Sequence, residues 1–415
     1  MVQLVKEYTS VEDALGQIGR SIRIRQKPEA IPPLLAYGRI LATPIKAERN
    51  IPSFPTSHMD GFAVAAKGLQ NATRASPVFL RIVGTAGPGE QPRANLGKGT
   101  AFQVATGAGL PAGADTVLPV ESVEVRWRRS ISVGFAPEQG RYVYKTGEDV
   151  RKGEPILPVG HAIRAQDVGL LISLGFARIK VTGKPLISVI ATGGELTTAE
   201  HPRAGKIPDS HTPVFLRLCR RLGCDVFDMG IIADRPRALA IGLRKSLASS
   251  DMVLTLGGTS AGGRDYIFGA VSSLQPEVAI HGIKMDRGRV TGIASVRGTP
   301  ILMMPGPIQA AMNAFLLLGL PLMEKLSRRK NSEFEVPCVL SERWEARRRF
   351  SDFRKVFYVK LRKKPQLVAV PLLAETESIK VLAEADGYVV VPENVKRIRS
   401  GGPVTVRLLP GFSFS

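Results

Sequence analysis

The chain has 415 residues, 44% hydrophobic and 22% charged. That length exceeds the ~250 to 300 residues at which single cores stop growing, so two to four domains are expected and a largely disordered chain is excluded. Lys and Arg number 57 against 36 Asp and Glu, a net charge of +21. The basic residues are scattered, with local concentrations only at 20–27, 126–129, 325–330 and 343–364, which favours a generally basic solvated surface, then one that steers small anions, and last a nucleic-acid partner.

Cys219, Cys224 and Cys338 form no metal-ligand spacing, and their odd number argues against a disulfide framework. The opening MVQLVKEYTSVEDAL lacks the apolar core of a signal peptide. The most apolar run, residues 310–323, is short for a membrane span and reads as a buried core helix. A cytoplasmic protein with reduced thiols and no membrane partner is expected.

Ser10 and Asp13 make a capping-box-like start, and Val11, Ala14, Leu15 and Ile18 follow at helical spacing. From 51 to 147, short β-prone runs at 78–83, 116–125 and 130–135 alternate with Gly and Pro clusters, as in a small β-rich domain. Residues 165–175 return to helical spacing and close at Gly175. Past Lys184, apolar strands at 186–192, 224–232 and 252–256 alternate with helices around 214–222 and 236–247. This pattern predicts a parallel sheet covered on both faces, with ligands outside the carboxyl ends of its strands. After about residue 328, alternating strands at 336–340, 357–361, 367–370, 388–391 and 403–408 predict a barrel or sandwich. Phe357, Val359 and Leu361 alternate with Tyr358 and Lys360, which places at least Phe357 on the buried face of a strand.

Chemistry concentrates in the loop after the third of these strands, LGGTSAGGRDY. Gly257 and Gly258 permit close backbone approach, Thr259 and Ser260 offer hydroxyl donors, and the following amides suit an anion. Asp265 either serves a cation lying between it and a phosphate, for which hydrated Mg²⁺ is suited, or caps the next helix. Asp60 in MDGFAV, Thr106 in TGA and Asp149 in TGED lie in glycine turns that say little individually. The five histidines form no zinc pattern.

Taken together, YGRILA, PSFPTSHMDGFAV, VATGAGLPAGADTVLPVE, TGEDV, GLLISLGFARIKV, IATGGEL, GCDVFDMGIIADRP, LTLGGTSAGGRDY and MMPG, followed by FYVKL and LAEADGYVVVP, resemble the MoeA family of molybdopterin molybdenumtransferases, which includes the gephyrin E domain. The resemblance covers nearly the whole chain. It implies a multidomain α/β plus β fold: an N-terminal helical linker domain (1–50 and 148–183), a β-rich domain (51–147), a parallel-sheet molybdopterin-binding domain (184–328) and a C-terminal β-barrel (329–415).

The implied activity is insertion of molybdate or tungstate into adenylylated molybdopterin with release of AMP and use of Mg²⁺. An elongated homodimer is implied, with a molybdopterin adenylyltransferase as a candidate partner. By resemblance Asp60, Asp149, Asp265 and Arg289 are catalytic, and Asp60 and Asp265 also metal-binding. Thr106, Thr192, Gly193, Glu195, Asp209, Ser210, Gly257, Gly258, Thr259, Ser260, Gly262, Gly288, Pro305 and Gly306 are implied to bind substrate.

Several positions depart from the family pattern. Gly194 replaces the aspartate of TGDEL, Gly263 an acidic residue, His211 an asparagine, and Pro307-Ile308 the end of PGNP or PGYP. KPGKP becomes Asp286-Arg287-Gly288-Arg289-Val290. An alternative follows, a catalytically degenerate MoeA paralogue that binds molybdopterin or a family partner without turnover. Two further expectations come from these loops: a bulky residue at Gly258 blocks ligand with little effect on stability, and Lys284 pairs with Asp286 along one strand face.

Overall fold

The computed structural model describes residues 7–126, 129–259, 265–328, 335–363, 366–373 and 377–409. Ser260, Gly262 and Gly263 therefore lie outside the described residues. The chain forms two compact units, one of residues 1–29, 38–40 and 181–415, the other of 30–37 and 41–180. The first helix, α1 (Val11–Ser21), starts as expected: Ser10 Oγ accepts the Asp13 backbone N–H at 3.0 Å, and Val11, Ala14 and Ile18 are buried.

In the 41–180 unit a six-stranded mixed sheet comprises β1 (Gly61–Val64), β2 (Val78–Ala86), β3 (Thr100–Val104), β4 (Thr116–Pro119), β5 (Glu124–Arg126) and β6 (Ser130–Val133), in the order β4-β1-β3-β2-β6-β5. Central β1 alternates its side chains between two cores: Phe62 and Val64 meet Leu80, Leu118 and Ile131 on one face, while Ala63 meets Phe102, Val104 and Val117 on the other. The run at 116–125 is broken by a 3₁₀ turn at Val120–Ser122, which begins where the Val120 N–H makes a last in-register bond to the Asp60 carbonyl at 3.1 Å. At the start of helix α2 (Ala165–Ser173) the Asp167 carboxylate accepts the Arg164 backbone N–H at 2.8 Å. The Asp167 carboxyl is held far below the usual range, first by the Arg164 guanidinium and also by His161.

The other unit is built on a sheet of β7 (Leu186–Thr192), β8 (Asp225–Ile232), β9 (Met252–Leu256), β10 (Val278–His281), β11 (Gly292–Val296) and β12 (Thr299–Met304), ordered β8-β7-β9-β12-β11-β10. Helices α3 (His211–Arg221), α4 (Pro236–Ser249) and α5 (Tyr266–Ser272) connect them. Ile187, Val189 and Leu254 pack on one face of the sheet, Ile190, Val253 and Met303 on the other.

The sheet is not wholly parallel, as the apolar strand pattern had predicted. β8, β7, β9 and β12 run parallel, but β11 and β10 add antiparallel. The cause is the two-residue turn Arg297-Gly298, with φ of 53° and 77°, which folds β11 directly onto β12.

The predicted core helix follows as α6 (Ile308–Ala314), a π turn at Phe315–Gly319 and α7 (Leu320–Ser327), nearly all buried. The C-terminal strands form a closed barrel of β13 (Glu335–Leu340), β14 (Lys355–Lys363), β15 (Leu367–Pro371), β16 (Gly387–Val391) and β17 (Pro403–Leu408), ordered β13-β15-β14-β16-β17. Phe357 points inward as expected, and Val359 with it, against Val389, Val404 and Val406. Tyr358 is buried as well, 3% exposed, because the outer face of β14 is covered by the core helix. Its hydroxyl donates to Asn313 Oδ1 at 2.7 Å, and burial pushes the phenol far above its ordinary range.

Candidate functional site

Three strand ends converge on one cavity. β7 ends at Thr192, β9 at Leu256 and β12 at Met304, and Thr192, Gly193, Glu195, Asp209, Ser210, His211, Asp234, Gly257, Gly258, Thr259 and Gly306 line a cavity of about 360 Å³. It lies where ligands of open α/β sheets bind.

The glycines make its floor. Gly257 donates to the Met304 carbonyl at 3.0 Å, and a Cβ on Gly306 would lie 4.0 Å from Gly257 Cα. Gly257 and Gly258 have φ of 85° and 69°, the left-handed region that only glycine enters at little cost. A Cβ at Gly257 would lie 2.5 Å from the Thr192 carbonyl oxygen, and one at Gly258 2.8 Å from Thr192 Cγ2. The expectation that a bulky residue at Gly258 leaves stability nearly unchanged is therefore wrong, since the loop packs against β7 as well as facing the cavity. Thr259 Oγ1 is buried with no partner among the described residues, the state of a hydroxyl that needs an acceptor.

The rim is acidic. Asp209 Oδ1 accepts from the His211 and Thr212 backbones at 3.2 and 3.1 Å and so caps α3. Burial, the leading cause, holds the His211 imidazole below its ordinary pKa. Asp234, to which the sequence reading gave no role, accepts from Thr192 Oγ1 and, at 3.3 Å, from the Gly194 N–H. Only its place two residues before Pro236 in ADRP marked it, and proximity to β7 is a tertiary fact.

Other predicted residues lie elsewhere. Asp265, Pro305, Gly288 and Arg289 are not among the lining residues. Asp265 Oδ1 accepts the Phe268 N–H at 2.9 Å, capping α5, the second of the two uses weighed for it. In the 41–180 unit, Asp60 Oδ1 accepts from the Thr106 N–H at 2.6 Å and its hydroxyl at 2.8 Å. Those two bonds, the backbone one foremost, hold its carboxyl below the ordinary value. Asp149 is exposed, and its N–H donates to the Ile51 carbonyl.

A second cavity, of about 470 Å³, is lined by Asp286, Arg287 and Gln309 from the sheet domain and by Trp344, Arg347, Lys355 and Tyr358 from the C-terminal domain. Asp286 Oδ2 lies 3.3 Å from Arg347 Nε, and Lys284 Nζ lies 3.5 Å from Asp352. The expected Lys284–Asp286 pair is not formed. Backbone bonds of Lys284 and Asp286 with Arg354 lay the 347–354 segment alongside, which supplies each charge with a nearer partner. The Arg289 guanidinium sits over the Phe350 ring, 4.8 Å from its centroid. Lys355, 2% exposed, donates to the carbonyls of Ser351, Glu393 and Val395 at 2.9, 3.2 and 2.9 Å, and burial lowers its pKa.

Comparison with known proteins gives a consistent match along the chain. Residues 9–175 match the MoeA N-terminal region (domain I and II), 188–325 the family described as "Probable molybdopterin binding domain", and 337–409 the MoeA C-terminal region (domain IV). A molybdopterin molybdenumtransferase of Nostoc sp. is 30% identical over 306 residues, 73% of this chain and 70% of the relative. One from Bacillus subtilis is 28% identical over 89% of this chain and 87% of its own. The crystal structure of a molybdopterin biosynthesis MoeA protein from Pyrococcus horikosii superposes with a TM-score of 0.86 at 30% identity, covering 97% of this chain and 99% of that one. With its domains matched in order and its fold shared end to end, the chain belongs to the MoeA family.

Proposed function

We propose that this protein is a molybdopterin molybdenumtransferase of molybdenum cofactor biosynthesis, inserting molybdate or tungstate into adenylylated molybdopterin and releasing AMP. The observation that carries the reading is the glycine floor with the unpartnered Thr259 hydroxyl at the sheet's carboxyl end. There, backbone N–H groups and a hydroxyl suit the substrate's terminal phosphate. Its name is that of relatives matched over most of the chain.

An anion beside Glu195, Asp209 and Asp234 needs a cation between them. The donors fit Mg²⁺, which takes one or two carboxylates and keeps waters and phosphate oxygens for the rest; Glu195 and Asp234 line the cavity. Asp60 retains Oδ2 beyond the bonds made by Oδ1 and is a candidate ligand; Asp265, whose Oδ2 is buried 2.9 Å from His281 Nε2, would serve as one only with that oxygen uncovered. When bound, Mg²⁺ would neutralise charge on the leaving phosphate. The chain's own part is to fix the phosphate at Gly257–Thr259, to hold Asp234 through Thr192 and the Gly194 N–H, and to keep His211 neutral by burial. We further propose a cytoplasmic homodimer, served by a molybdopterin adenylyltransferase.

Purified protein mixed with adenylylated molybdopterin, molybdate and Mg²⁺ is expected to release AMP and to reconstitute an apo-molybdoenzyme. Light scattering is expected to give twice the 44.7 kDa chain mass. Binding of the pterin without AMP release would favour the second reading, a degenerate paralogue, which draws on Asp286 and its pairing with Arg347 in the second cavity.

A further inference from the structure

A third cavity, of about 380 Å³, is lined by Arg244 and Leu247 of α4, Leu274 and Gln275 just past α5, and Val296 and Arg297 at the end of β11. α4 leads into β9 at Met252 and the Arg297-Gly298 turn into β12 at Thr299, so this cavity lies at the amino end of the parallel strands, away from the glycine loop. No carboxylate is among the described residues that line it. Neither the Arg244 nor the Arg297 guanidinium has a hydrogen-bond, ion-pair or ring partner among the described residues. In the second cavity, by contrast, Arg287 and Arg347 are both engaged. The basic concentration at 20–27 adds to the field here: Arg25 Nη2 donates to the Arg297 carbonyl at 2.8 Å, and the Arg23 N–H to the Gly298 carbonyl at 2.9 Å.

The turn supplies a second observation. Arg297 and Gly298 both have positive φ, and a two-residue hairpin turn of that kind favours Asn or Asp before Gly, not arginine. Gln275, with φ of 54°, is another non-glycine residue in the left-handed region that lines the same cavity. Residues held against their backbone preference cluster where the side chain serves a ligand.

Two unpartnered guanidiniums at one cavity are the donors that grip a phosphate in forked pairs. The carboxyl ends of α4 and α5 each bring about half a negative charge at most, which two full positive charges exceed. The volume is that of a small-molecule site and more than a lone phosphate fills, with Leu247, Leu274 and Val296 making the remainder apolar. Ser273 has already given its hydroxyl proton to the Ala270 carbonyl at 2.7 Å, which leaves the Gln275 amide as the free uncharged donor. A sugar phosphate would press its hydroxyls against apolar side chains, whereas an aromatic ring would not.

We propose that this cavity binds an aromatic organic phosphate of mononucleotide size, its phosphate held by Arg244 and Arg297 and its ring lying against Leu247, Leu274 and Val296. The site is separate from the glycine-loop cavity and does not depend on the function proposed above.

Amide exchange and calorimetry on the full-length protein test it, with AMP, glucose 6-phosphate and inorganic phosphate as probes. AMP is expected to slow exchange at 273–275 and 296–298, read apart from any binding at the glycine loop. It is expected to bind there at least about tenfold more tightly than the other two probes, as burial of a ring on an apolar floor implies. Arg244→Gln and Arg297→Asn are each expected to weaken that binding at least about tenfold, the worth of a hydrogen bond to a charged group. Because Asn suits the turn, Arg297→Asn should also melt at or above the wild-type temperature while binding is lost. A lower melting temperature would show that the arginine serves the turn, and AMP-slowed exchange persisting in both variants would show that these arginines hold no phosphate; either result overturns the proposal. A response to AMP no greater than to inorganic phosphate, or no response to any probe, overturns it as well. Slowing by a polyglutamate peptide but not by AMP would do the same, giving the cavity to an acidic protein partner.

Discussion

Two cavities of the sheet-and-barrel unit are of similar size, about 360 and 470 Å³, but they are made of different material. The glycine-loop cavity is shaped by main chain, with left-handed glycines lying against β7 and carboxylates on its rim. The second is shaped by long polar and charged side chains of two domains, with Asp286 paired to Arg347 and Arg287 donating to Gln309 Oε1 at 2.6 Å. A cavity made of main chain keeps its shape while residues on its rim change, as Gly194 has. A cavity made of side chains can have its charge altered at one position with the fold intact, as Asp286 illustrates.

The contrast is most sharply tested at Gly257. Gly257→Ala places a Cβ 2.5 Å from the Thr192 carbonyl oxygen at φ 85°, and left-handed backbone alone costs about 1–2 kcal/mol. A loss of at least about 2 kcal/mol in guanidinium unfolding is expected, together with loss of pterin binding; an unchanged midpoint would mean that the loop is not locked by its backbone. In the second cavity the comparable lever is a single hydrogen bond. Tyr358→Phe leaves Asn313 Oδ1 without its 2.7 Å donor, and an orphaned buried acceptor costs about 1–3 kcal/mol. Asn313 also donates to the Arg287 carbonyl at 2.9 Å, so the cavity wall should loosen, with faster amide exchange at Arg287 as the readout.

Charge comes next. A unit pair about 5 Å apart is worth roughly 3 kcal/mol at an effective dielectric near 20, so Asp286→Asn frees Arg347 and removes a repulsion. Calorimetric titration with molybdate is expected to show binding several-fold tighter than wild type, and Asp286→Lys tighter again. Weaker binding in both would make Asp286 a ligand rather than an obstacle. The smallest effect concerns His211. Its folded pKa lies below the ordinary value near 6.5 because of burial, so the unfolded chain binds the proton first. Stability is then complete above about pH 6.5 and declines as pH falls towards the folded pKa. His211→Gln should flatten that decline in thermal melts between about pH 7 and 5, and an identical slope would assign the decline to other groups.

Much of the architecture could be read locally. Strand 186–192 and strand 403–408 begin and end where apolar pattern and flanking Gly or Pro place them, and Ser10 announces α1 through its side chain. The Gly257-Gly258 floor was legible too, since few structures need two adjacent glycines after a buried strand. What was not legible depends on partners distant in sequence. Alternation along β14 cannot reveal that a helix covers its outer face at Tyr358, nor can residues 284–286 reveal that the 347–354 segment lies beside them. Asp234 is one acid among 36 acidic residues until β7 and β8 are paired. The Arg297-Gly298 turn carried a signal in its glycine, but Arg at positive φ is uncommon enough that the antiparallel edge stayed hidden.

The buried ammonium of Lys355 has a consequence for the C-terminal domain. Three main-chain carbonyls gathered on one cation form the arrangement by which a structural potassium or calcium ion ties two loops together. Here the ion is carried on a side chain at the first residue of β14, and it ties Ser351 to the 393–395 segment that follows β16. Such a clasp needs no metal supply and cannot be stripped by a chelator. Its weakness is chemical rather than ionic: modification that removes the charge, such as acetylation during a moment of unfolding, would leave three carbonyls competing for no donor and a barrel unable to reclose.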